Sequence, residues 1–122
     1  MSTVTPIPQG RDEVLEALDR LEQALEKNAS NTRVVIERIH ELRKFRSDGM
    51  SWHAALEGES GPGTIRLMSE MLKCLSTASG ELRQLFVVVL RSEGQTIPYI
   101  AKLFGVTHQR ISNIIRQARN QP

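Results

Sequence analysis

The chain has 122 residues, enough for one compact domain or a small domain with an extension. Its 39% hydrophobic and 25% charged content excludes a wholly disordered, collagen-like or membrane-embedded polypeptide. The formal charge is only +2, yet eight basic and eleven acidic residues give residues 1–60 a net −3, while eight and three give residues 61–122 a net +5, an asymmetry that points to a polyanion-binding C-terminal part.

In chain order, residues 1–10 (MSTVTPIPQG) carry two prolines and read as a flexible tail. They lack the basic start and apolar core of a secretory signal. From Arg11 the period turns helical. Val14, Leu18, Leu21 and Leu25 recur at spacings of four and three among acids and arginine. The polar stretch Asn28–Thr32 interrupts the pattern and offers Ser30 or Asn31 as an N-cap. Val35, Ile39 and Leu42 then resume it in the same 4-3 phase. Two readings fit residues 11–47. One is a single long helix over about 12–46, pairing as a coiled coil with Asn28 and Thr32 in its seam. The other is a helical hairpin turning at Asn28–Asn31. Either way Val14, Leu18, Leu21, Leu25, Val35, Ile39 and Leu42 form an apolar stripe that needs a partner, and dimerisation of two chains is the expected use.

Residues 48–63 are rich in glycine and read as a hinge around a short helix capped by Ser51, with Trp52 anchoring that helix to the main body. Ile65, Met68, Met71, Leu72 and Leu75 predict a helix ending near Ser76–Gly80. Leu82, Leu85, Phe86, Val89 and Leu90 predict another, stopped by Gly94. The longest apolar run, residues 85–90, is far below the roughly 20 residues of a membrane span.

Residues 96–119 (TIPYIAKLFGVTHQRISNIIRQAR) are the most informative. Thr96 is a natural N-cap and Pro98 sits in a first turn, where its missing N–H costs no helical bond. Ile97, Ile100, Ala101 and Phe104 make one inner stripe. Gly105 suits a sharp turn, Val106 plugs it, and Thr107 caps a second helix with Ile111, Ile114, Ile115 and Ala118 inside. This pattern resembles the helix-turn-helix of bacterial transcription factors, with its nearest flavour in sigma factor region 4. Ala101 matches the small residue where the two helices cross, and Gly105 the turn glycine. The resemblance covers about 24 residues, extends loosely to 81–93, and leaves residues 1–60 out. The upstream regions of a full sigma factor are missing, so a promoter-recognition subunit is not expected. The implied fold is an all-α helix-turn-helix DNA-binding domain at 64–122, preceded by the N-terminal long helix or hairpin.

The second helix can be judged by its own geometry. At about 100° per residue its apolar side spans one sector. The opposite side is centred on Gln109, Asn113, Arg116 and Asn120, with Arg110, Ser112 and Gln117 beside it, and holds no carboxylate; after Glu93 the chain has none. Arginine can grip guanine and Asn or Gln adenine, each good pair contributing about 1–3 kcal/mol of discrimination. Thr107, His108, Gln109, Arg110, Ser112 and Asn113 are therefore the base-reading candidates. Arg116, Arg119, Lys102, Tyr99 and Thr96 are the backbone-contact candidates.

The other chemistries find little support. His40, His53 and His108 are scattered without ligand spacing, so no metal or other cofactor is expected. Cys74, the single cysteine, cannot form an internal disulfide, reads as a buried thiol, and suits a reducing cytoplasm. No phosphate loop, nucleophile elbow or paired catalytic carboxylates mark an enzyme. The expected function is a sequence-specific double-stranded DNA-binding regulator acting as a homodimer. Two alternatives stand beside it: a protein-interaction module, using the N-terminal helices on a polymerase or partition partner with auxiliary DNA contact, and a low-specificity nucleoid-associated protein.

Overall fold

The computed structural model describes residues 12–120. The expected tail, residues 1–10, lies outside them. The described residues are all-helical: α1 (Glu13–Ser47), α2 (Trp52–Glu57), α3 (Thr64–Ser92), α4 (Ile97–Phe104) and α5 (His108–Arg119), without a strand. None of these helices is long and apolar enough to cross a membrane. The described residues divide into two compact units, one made of residues 12–20 and 79–120, the other of Leu21–Ala78.

α1 is one continuous helix, not a hairpin. Asp12 caps its start, its Oδ1 accepting from the N–H groups of Val14 (3.0 Å) and Leu15 (3.2 Å). The polar stretch that suggested a turn is absorbed by the helix. The Thr32 hydroxyl donates to the carbonyl of Asn28 one turn back (2.7 Å), and the Asn28 amide donates to the carbonyl of Met71 on α3 (3.0 Å). The expected stripe is split between two faces. Among the protected positions, Val14, Ala17, Leu21, Ala24, Asn28, Asn31, Val35, Arg38, Leu42 and Phe45 keep an unbroken 3-4 alternation, in which Ala17, Ala24 and Val35 are buried. Leu18 and Leu25 lie one position further round and are exposed, and Ile39 beside them is half-buried. Small alanines, not leucines, occupy the tightest points of the seam because they let another helix approach closely.

α3 also corrects an expectation. The predicted break at Ser76–Gly80 does not occur, and the helix runs straight through. A lone glycine inside a helix costs about 1 kcal/mol against alanine but forbids nothing. The protected positions Leu67, Met71, Cys74, Ala78 and Leu82 hold one phase across it. Cys74 is free and half-buried rather than fully enclosed.

Within Leu21–Ala78, α1 and α3 run antiparallel. Moving forward along α1 from Asn28 to Arg38 and Glu41, the partners move back from Met71 to Pro62 and Ser60. α2 closes the turn as expected, with the Ser51 hydroxyl accepting from Ala54 N–H (3.1 Å) and Ala55 fully buried. Trp52 is not the anchor; its ring is 54% exposed and lies under the Arg46 guanidinium, 5.0 Å from the ring centre. Glu59 caps α3, its carboxylate accepting from the Thr64 N–H (3.1 Å) and hydroxyl.

In the other unit Arg20 of α1 pairs with Glu81 of α3. The core there is Val87, Ile100, Ala101, Ile111 and Ile114, ringed by Leu90, Ile97, Phe104, Val106 and Ile115. These are the inner positions read from the sequence of 96–119, joined by the C-terminal half of α3.

Glu41 carries a pH dependence. Its carboxylate accepts from the Ser60 N–H (3.0 Å) and then from the Ser60 hydroxyl (2.9 Å), and these two bonds hold its pKa below the ordinary glutamate value. A carboxyl depressed on folding stabilises the fold above its unfolded pKa, and that contribution is lost as pH falls through the lowered folded value. An NMR titration is expected to show Glu41 protonating below ordinary glutamate, and Glu41→Gln to flatten that part of the acid-unfolding profile.

Candidate nucleic-acid interface

The candidate surface is built by two capped helices and a three-residue turn. The Thr96 hydroxyl accepts from Tyr99 N–H (3.2 Å) and starts α4, with Pro98 in its first turn. α4 ends at Gly105, whose φ of 69° and ψ of 34° place it in the left-handed region. Two bonds close the turn, Gly105 N–H to Lys102 carbonyl (3.3 Å) and Val106 N–H to Ala101 carbonyl (3.0 Å). The Thr107 hydroxyl then accepts from Arg110 N–H (3.0 Å) and starts α5. Ala101, 2% exposed, and Ile111, fully enclosed, lie in one cluster, so α4 and α5 meet over a small side chain. This contact fixes which side of α5 faces in.

The outward side of α5 carries Gln109, Arg110, Arg116 and Gln117, all exposed, with Asn120 just past the helix end. His108 and Thr107 at its start are exposed too. Asn113 and Ser112 are half-buried; the Asn113 Oδ1 accepts from Arg116 Nη1 (3.4 Å), which leaves the Asn113 NH2 group to donate. The Thr96 and Thr107 oxygens are engaged as caps, but each hydroxyl hydrogen can still be donated to an anion. The first N–H groups of α5 have no intrahelical acceptor and carry the positive end of the helix dipole.

The remaining candidates fall on neighbouring surfaces. Thr96, Tyr99 and Lys102 recur every three residues along one exposed side of α4. Arg119 does not join Gln109 and Asn113. It flanks an open groove of about 400 Å³ that it lines with Val88, Arg91, Ser92, Ile115 and Ala118. Arg91, on α3, was not a sequence candidate; it lies about 30 residues before Arg119, and only the packing of α3 on α5 brings the two together. Its guanidinium also donates to the carbonyl of Gln95 (2.9 Å).

Among the described residues no carboxylate pairs with Lys102, Arg110, Arg116 or Arg119. Nor is any group of three His, Cys, Asp or Glu side chains placed to hold a metal ion there. No family model, curated protein or solved structure matches the chain.

The turn makes a paired prediction. A Cβ at Gly105 or at Gly80 meets open space, but only Gly105 has a positive φ. Gly105→Ala is therefore expected to destabilise by about 1–2 kcal/mol through backbone strain alone. Gly80→Ala, inside α3, is expected to stabilise by about 0.5–1 kcal/mol. Denaturant unfolding of the two variants measures both signs.

Proposed function

We propose that the chain is a double-stranded DNA-binding protein that reads sequence with α5, and that it acts as a transcriptional regulator of the helix-turn-helix type. The observation that carries this reading is the outward side of α5: amide and guanidinium groups, no acid, on a helix whose opposite side is locked into a packed core. An ordinary solvated helix mixes both signs of charge. A face that offers only neutral and cationic groups suits a polyanion, and its Gln, Asn and Arg groups are those that match base edges. The size agrees, since a helix about 10–12 Å across with its side chains enters the roughly 12 Å major groove.

In this reading Gln109, Arg110 and Asn113 meet base edges, with Ser112 and His108 beside them. The Thr107 hydroxyl and the free N–H groups of α5 take a phosphate, as helix N-termini do. Tyr99, Lys102 and Thr96 hold the backbone from α4, and Arg116 and Arg119 from the later turns of α5. To read adenine bidentately Asn113 must both accept and donate, so Arg116 has to leave the Asn113 oxygen on binding, and a phosphate is the natural place for it to go.

Selection from random duplexes, followed by titration at several salt concentrations, tests the assignment. Arg110→Ala is expected to lose preference at one base position, at a cost of about 1–3 kcal/mol for the selected site. Arg119→Ala is expected to weaken all duplexes evenly and to lower the salt slope by about one. Even weakening by both variants, with no selected sequence, would instead favour a low-specificity binder.

A further inference from the structure

The unit Leu21–Ala78 leaves an apolar face uncovered. Its own buried apolar residues are few: Ala24, Val35, Ala55 and Leu67. Meanwhile Leu25, Ile36, Ile65, Met68 and Leu72 are 42–68% exposed. Each of these five directly follows a residue of the protected seam: Ala24, Val35, Thr64, Leu67 and Met71. In an antiparallel helix pair, positions turned by the same angle from the packed seam fall on the same side of both helices. The five side chains therefore fall on one face of the α1–α3 pair, and a contiguous exposed apolar face of this kind marks an interaction surface.

We propose that a second copy of this chain covers this face, the two helix pairs meeting about a twofold axis to form a four-helix bundle. Charge and register select this occupant. On α3 the side facing out here carries no charge between Ile65 and Ser76, so it meets its own copy without repulsion. On α1 the same side has Glu22 at one end and Arg43 at the other, both exposed. A twofold that sets α1 antiparallel to the partner's α1, crossing near Thr32, brings Glu22 to the partner's Arg43 and small Ala29 to the partner's Ile36. The bond from Asn28 to Met71 sets the level of the two helices, and one turn further along α1 Thr32 is level with Met68. The same axis therefore crosses α3 at Met68 and brings Ile65 to the partner's Leu72. Both seams share one centre, as a closed isologous interface requires. Setting α1 against the partner's α3 instead would leave Glu22 without a basic partner, because α3 offers none on this side.

The interface is distinct from the stripe expected from the sequence: Val35 and Leu42 of that stripe belong to the inner seam, and Leu25 and Ile39 to the outer one. It stands apart from the reading of α5, and the test uses the full chain without DNA. Sedimentation equilibrium between 1 and 100 μM is expected to give a dimer. Ile65→Lys and Leu72→Lys alter exposed positions; the double variant is expected to keep its helical circular dichroism and to raise the dimer dissociation constant at least a hundredfold. Glu22→Arg or Arg43→Glu alone is expected to weaken the dimer about tenfold, and the two together to restore it. A chain that stays monomeric at 100 μM overturns the proposal. So does a dimer that the double lysine variant leaves intact, or charge exchanges whose effects simply add.

Discussion

The contact on which the candidate surface depends is the crossing of α4 and α5 over Ala101, held by the left-handed turn at Gly105. Ile100 and Ile111 are fully enclosed there, and Val87 of α3 closes the cluster. A helix of twelve residues is marginal by itself in water, so α5 owes its form to this packing and to the Thr107 cap. Because Ile111 and Ile114 are committed to the core, the side bearing Gln109 and Arg116 has nowhere to go but outward. What α5 offers to solvent follows from what the interior takes: no acid stands on that side, and the buried apolar groups of α5 are turned away from it.

How much of this was legible before the structure depended on which signals were local. The caps at Ser51, Thr96 and Thr107, the turn at Gly105 and the inner positions of α4 and α5 all lie within a few residues of the feature they create, and the sequence pattern placed them correctly. The two long helices were harder. Asn28–Thr32 and Ser76–Gly80 both look like breaks, and both are continuous helix, because one glycine or a few polar residues cost less than the packing of two protected seams contributes. The unbroken 4-3 phase across Asn28–Thr32 carried that information on α1. The same phase, Met71 to Ala78 to Leu82, was present on α3 and pointed the same way.

The seam of α1 was misplaced by one residue at alternate positions for a related reason. Apolar stripes are read from large side chains, and Leu18 and Leu25 outweigh Ala17 and Ala24 in any such pattern. Close helix approach favours the alanines, and the leucines are left outside. That displacement is informative rather than incidental, since it sets Leu25 on the uncovered face of Leu21–Ala78. Arg91 was missed for a different reason: its neighbourhood with Arg119 exists only through packing of α3 on α5, and no spacing in the chain announces it. Should both surfaces act together, two α5 helices carried by one dimer would gain by effective concentration what a single small module, burying on the order of 600–1,000 Å² on DNA, does not reach alone.

The most direct measurement is backbone amide mapping of the full chain by NMR as a short mixed-sequence duplex is added at low salt. A DNA-reading role for α5 predicts shifts that concentrate on Thr107–Arg116, with weaker ones on Thr96, Tyr99 and Lys102, and that fade as salt is raised. Amides that stay unmoved in the presence of duplex, or that move only within Leu21–Ala78, would contradict it.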